Sequence, residues 1–158
     1  MDKLYELSKK FRRAIDSAKL NREFTVRSCL FTFPNECCDI TCDLLGEYLF
    51  ENGIDTYQIN AQSKYDYQRR HVWLVTKNEG VVIDITGDQF VGKKHFPNSI
   101  ESVYVGEENE IHQSFSLDRK TEPNTIFTNP LFYNGFEGTP DFRQQRLIDA
   151  YKIIKRYI

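Results

Sequence analysis

Cys38, His71 and Asp84 are residue types that together can carry out acyl transfer through a thiolate. A nucleophilic cysteine needs a lowered pKa, a base within hydrogen-bond reach and a group that orients the base. Cys37, Cys38 and Cys42 crowd one short segment, and Cys29 lies just upstream. Adjacent cysteines do not bridge easily, and a disulfide scaffold spreads its cysteines along the chain. The cluster therefore reads as free thiols of a reducing compartment, either packed as small apolar groups or used in chemistry.

The element that must position the sulfur is a helix. Asn35 is a good N-cap after Pro34, and Glu36 suits the positive end of a helix dipole. Cys38, Cys42, Leu45 and Leu49 then form a stripe at three- and four-residue spacing, and Asn52-Gly53 ends it. Cys38 falls in the first turn, where unpaired N–H groups stabilise a thiolate and can hold an oxyanion. Cys42 reads as core packing. Cys37 projects about 100° away from Cys38, so the two cannot face one base. Either could be the nucleophile on this ground alone.

The base and its orienter lie on a predicted hairpin. His71 to Thr76 and Val81 to Thr86 are β-prone runs flanking Lys77-Asn78-Glu79-Gly80. With that loop, Thr76 faces Val81, Trp73 faces Asp84 and His71 faces Thr86. Asp84 is then the diagonal neighbour of His71 on one sheet face, with Cβ atoms about 7 Å apart. A one-residue slip would put the two on opposite faces. An acidic residue inside an apolar strand needs a partner, and His71 is the obvious one. His95, in a polar loop, and His112, beside Glu110 in a weak strand, are poorer candidates. A metal site built from these cysteines and His71 lacks the spacing of structural zinc or of zinc deaminases.

The remaining chain supplies the frame. Residues 3–20 read as an amphipathic helix carrying Leu4, Leu7, Phe11, Ala14, Ile15 and Ala18, with Asp2 as a cap. Residues 24–33 suggest a short strand, 56–60 a strand, and 102–105 and 111–117 weaker strands. Residues 119–138, rich in Pro, Asn, Gly and Thr, suggest a surface excursion. Thr139-Pro140-Asp141 opens a final helix to about Tyr157. Helices before and after an antiparallel sheet make this an α+β chain, and no linker divides residues 1–158 into more than one domain.

The motifs resemble those of transglutaminase-like domains within the wider papain-like class. Those carry G-x-C opening a helix with a small residue four positions on, then H-x-W on one strand and D-x-T on the next. Here the matches are Glu36-Cys37-Cys38 with Cys42, His71-Val72-Trp73, and Asp84-Ile85-Thr86. The resemblance covers about residues 33–90. It implies a papain/transglutaminase-like fold with Cys38 as nucleophile, His71 as acid–base and Asp84 as orienter, and no cofactor. The expected substrate is a protein, a peptide or another amide. Glu36 stands where the family has glycine. Asn35, Trp73 and Thr86 are candidates for a second oxyanion donor or for support of the triad. A non-catalytic protein-binding module on the same fold is the alternative, distinguished by whether Cys38 is unusually reactive.

Composition excludes other classes. The 158 residues carry a net charge of −2 and 40% hydrophobic residues, with no basic stripe for nucleic acid. The start of the chain mixes charge with apolar positions, and no run approaches the ~18 apolar residues of a membrane span. A cytoplasmic location is expected. The abundant Phe and Tyr fit an aromatic core.

Overall fold

The computed structural model describes residues 1–121 and 140–158. Helix α1 spans Asp2–Leu20 and buries Leu4, Phe11, Ala14, Ile15 and Ala18, the stripe that its spacing predicts. Its N-cap is Met1, and Asp2 makes no capping bond. Residues 24–33 form no strand. Their N–H groups close local turns instead, Ser28 to Thr25 at 2.8 Å and Phe33 to Leu30 at 3.1 Å. Phe24, Leu30 and Phe33 are buried in the core from those turns.

Helix α2 spans Cys38–Glu51, and its N-cap is Cys37 rather than Asn35. The physical reason is Glu36, whose φ of +58° turns the chain between Asn35 and Cys37. Asn35 instead completes a turn, donating to the Thr32 carbonyl at 2.9 Å and accepting from Thr32 Oγ1 at 2.8 Å. Asn52 caps the far end, and Gly53 takes the expected left-handed conformation at φ +79°.

Five strands follow: β1 (Thr56–Ser63), β2 (Arg70–Thr76), β3 (Val82–Asp84), β4 (Tyr104–Gly106) and β5 (Phe115–Thr121). They form one antiparallel sheet in the order β4-β3-β2-β1-β5. The strand expected over 111–117 is divided. Asn109 accepts from the Ile111 N–H at 3.0 Å and the His112 N–H at 3.4 Å, which winds Glu110–Gln113 into a short helix, α3, before β5 begins. Helix α4 (Phe142–Lys155) opens on a capping box between Asp141 and Gln144. The expected excursion over 119–138 falls, from residue 122 on, outside the described residues.

The sheet has two unlike faces, as strand alternation requires. Val72, Leu74 and Ile83 pack with Leu44, Leu45 and Leu49 of α2 and with α1 and α4. The opposite face carries Ala61, Trp73 and Val82 against Phe90, Ile111 and Phe115. The architecture is therefore α+β, with the N-terminal helices and the C-terminal helix on a five-strand antiparallel sheet. Among the described residues no helix is long and apolar enough to cross a membrane.

Candidate active site

The hairpin register decides whether a histidine and a carboxylate can meet. β2 and β3 pair Leu74 with Ile83 and Val75 with Val82, the register that the four-residue loop predicts. The Thr76 N–H bonds the Val81 carbonyl at 2.9 Å, and Gly80 takes the turn at φ +68°. His71 and Asp84 consequently share a face. His71 Nε2 lies 2.7 Å from Asp84 Oδ2, with the two side chains 0% and 2% exposed.

Asp84 is held from both oxygens. Oδ1 accepts from the Thr86 N–H at 2.8 Å and from Thr86 Oγ1 at 3.3 Å. That is the physical content of D-x-T: one residue two positions on supplies two donors to the carboxylate. Gly87 lies so close that a Cβ there would sit 2.9 Å from Asp84 Oδ2. Burial alone would raise the Asp84 pKa, but the charge and hydrogen bond of His71, with the close approach of His112, outweigh it and hold it well below the usual carboxylate range. Burial likewise pulls His71 down. The charge and hydrogen bond of Asp84, with a smaller contribution from the Cys38 sulfur, push it up to about 9.

The other ring nitrogen of His71 faces Gln89. Gln89, on a single 3-10 turn at Gly87–Phe90, places its Nε2 3.3 Å from His71 Nδ1 and donates to the Thr86 carbonyl at 2.9 Å. With Nε2 donating to Asp84, a neutral His71 keeps its lone pair on Nδ1. There it can accept from the Gln89 amide or take a proton from the neighbouring Cys38 thiol.

Cys38 is the first residue of α2, and no side chain caps that end, so the first-turn N–H groups are not occupied by a cap. It lines a groove of about 620 Å³ together with Glu36, Asn60, Arg69, Gln89 and Lys93. Cys37 does not line it. Burial pushes the Cys37 thiol up to about 12, and it raises Cys42 and Cys29 as well. Cys42 donates to the Val72 carbonyl at 3.4 Å and Cys29 to the Arg146 carbonyl at 3.6 Å. All four cysteines are free.

No family model, curated protein or solved structure matches this chain. The site therefore rests on its own geometry. Of the candidates for a second oxyanion donor, neither Asn35 nor Trp73 lines the groove. Trp73 lies beneath the site, 5.5 Å from the His71 ring and edge-on to His112 at 4.9 Å. Thr86 acts on Asp84. Glu36 stands at the groove in the left-handed backbone region that glycine prefers.

Two residues, Gln89 and Arg12, escape the sequence reading, and a third, His112, is ranked too low by it. Gln89 is invisible because a 3-10 turn, unmarked by periodicity, curls it back to His71. His112 is hidden by its assignment to a strand; it is 2% exposed, with Nε2 3.4 Å from Asp84 Oδ2. Arg12 reaches from α1 to the segment that carries Asp84 and Gln89. It donates to the Ile85 carbonyl at 2.7 Å, the Ser102 carbonyl at 3.0 Å and Asp88 at 2.8 Å. Among the described residues no group of three or more His, Cys, Asp and Glu side chains is arranged to hold a metal ion.

Proposed function

We propose that the protein is a papain- or transglutaminase-like cysteine enzyme that transfers or hydrolyses acyl groups of proteins, peptides or other amides. The observation that carries this reading is the placement of Cys38. It sits at an uncapped helix start, close enough to act on the His71 imidazole, which a buried carboxylate holds from behind.

The sulfur gives its proton to His71 Nδ1, and the thiolate attacks the substrate carbonyl. The oxyanion is taken by the Cys38 backbone N–H and by the Gln89 amide, which lines the same groove. Collapse breaks the C–N or C–O bond, and His71 returns its proton to the leaving group. The resulting thioester is resolved by water or an amine. His71 takes the proton of that nucleophile and gives it back to the departing sulfur. Peptidase, amidase, deamidase and cross-linking transferase all share this cycle.

Acyl trapping tests the proposal. The protein is mixed with a panel of activated esters and thioesters, quenched in acid and mapped by peptide mass spectrometry. A single acyl adduct on Cys38, absent in Cys38→Ala, is expected. Acylation spread over exposed lysines, with Cys38 no more labelled than Cys29, would contradict the proposal and favour a binding module on the same fold.

A further inference from the structure

Asp84 has a neighbour that the triad does not use. His112, on α3, places Nε2 3.4 Å from Asp84 Oδ2, off the line of a good hydrogen bond. Its other ring nitrogen, Nδ1, accepts from the Asn109 backbone N–H at 3.4 Å. A nitrogen that accepts carries no proton, so the single proton of His112 sits on Nε2, on the Asp84 side. That buried N–H has no partner among the described residues other than this long approach to Asp84. The ring is fixed in place by Trp73 at 4.9 Å and Tyr104 at 5.5 Å.

We propose that His112 is a positioning residue of this site: its Nε2–H keeps the Asp84 carboxylate ionised and aligned while His71 changes charge. The inference rests on reading Cys38, His71 and Asp84 as a triad. During acyl transfer His71 gives up its second proton, and Asp84 loses the positive charge that His71 sets against it. A buried carboxylate without compensation would then draw the proton back or turn away. Thr86 satisfies Oδ1 alone. On Oδ2 the neutral N–H of His112 supplements the weakened bond from His71, and its long approach can shorten as that bond weakens.

The groups facing Asp84 are His71 from β2, His112 from α3 and Cys42 from α2; Tyr104 of β4 faces His112. Burial keeps the Cys42 thiol neutral. The Asn109 N–H occupies the His112 Nδ1 lone pair. His71 is the group whose charge changes during acyl transfer.

Two readings of the full-length protein test this. Imidazole nitrogen NMR of the wild type should show the neutral His112 ring with its proton on Nε2, the Asp84 side. Alkylation of Cys38 by iodoacetamide should then be followed against pH in His112→Phe and His112→Gln. The phenylalanine variant removes the donor and should move the acid limb up by about one pH unit. Glutamine can place an amide N–H near the same point and should stay within about 0.3 of the wild type. An Nδ1–H tautomer of His112, or a phenylalanine profile superimposed on the wild type, would each overturn the proposal. The NMR result decides the matter even if the phenylalanine variant does not fold. Absence of enhanced alkylation in the wild type would count against the triad, whereas the other results bear on His112.

Discussion

His71 and Asp84 meet at 2.7 Å with both side chains withdrawn from solvent, and each changes the other's ionisation. Asp84 is held below its unfolded value of about 3.9, so its contribution is present above that pH and lost as acid protonates the folded protein. His71 is held up to about 9, so its contribution is complete below its unfolded value of about 6.5 and lost as pH rises through 9. Stability should therefore fall between about pH 7 and 9.5, and Asp84→Asn should flatten that slope. Glu47, pushed up to about 7 by burial and by Glu51, adds a loss of its own at lower pH, so the comparison belongs above pH 7. Urea unfolding midpoints of both proteins at the two ends of this window check it; parallel slopes would contradict it.

Gly87 tests how closely the carboxylate is fitted. A Cβ there would meet Asp84 Oδ2 at 2.9 Å, with Ile100 closing another side at 3.7 Å. Gly87→Ala should push Asp84 off His71 and lower the alkylation rate of Cys38 roughly tenfold or more, since small misplacements at a reacting site are costly. Circular dichroism should show the fold retained. An unchanged rate would mean that the carboxylate has room to spare.

Arg12 should matter for stability out of proportion to its place on the first helix. It is 7% exposed and satisfies two carbonyls besides Asp88, all on segments around Asp84 and Gln89. Arg12→Ala leaves those acceptors without a donor and should cost about 3–5 kcal/mol. Lysine should recover only part, because an ammonium lacks the planar fork. Denaturant midpoints of the three proteins measure this.

Glu36 carries a local strain that glycine would relieve. Its φ of +58° is unfavourable for a side-chain-bearing residue. Glu36→Gly should raise stability by up to about 1 kcal/mol after the entropy of the unfolded glycine is subtracted. Glu36→Ala should give no such gain. Thermal unfolding of both variants distinguishes backbone relief from loss of a charge.

These residues also mark what the sequence makes legible. The β2–β3 register is readable because loop length and strand alternation together leave one arrangement that pairs Asp84 with a histidine. The first and last helices are readable from their spacing and, at Asp141, from a cap. The start of α2 is misread by two residues because the bend at Glu36 uses a backbone conformation that its residue type does not advertise. Residues 24–33 are apolar enough for a strand, but they reach the core from turns, and apolar content alone cannot tell the two apart. His112 and Gln89 depend on how short helical turns fold back onto the sheet. Nothing local to those residues encodes that.

Acyl transfer as proposed requires Cys38 to work as a thiolate paired with the His71 imidazolium. The most direct test is the rate of iodoacetamide alkylation of Cys38, resolved by peptide mapping, from about pH 4 to 10. Labelling of Cys38 should be fast already below pH 7, far ahead of Cys29, Cys37 and Cys42, and should be lost in His71→Ala. Labelling that rises only near the pKa of about 8.5 of a free thiol, at the same pace with or without His71, would contradict it.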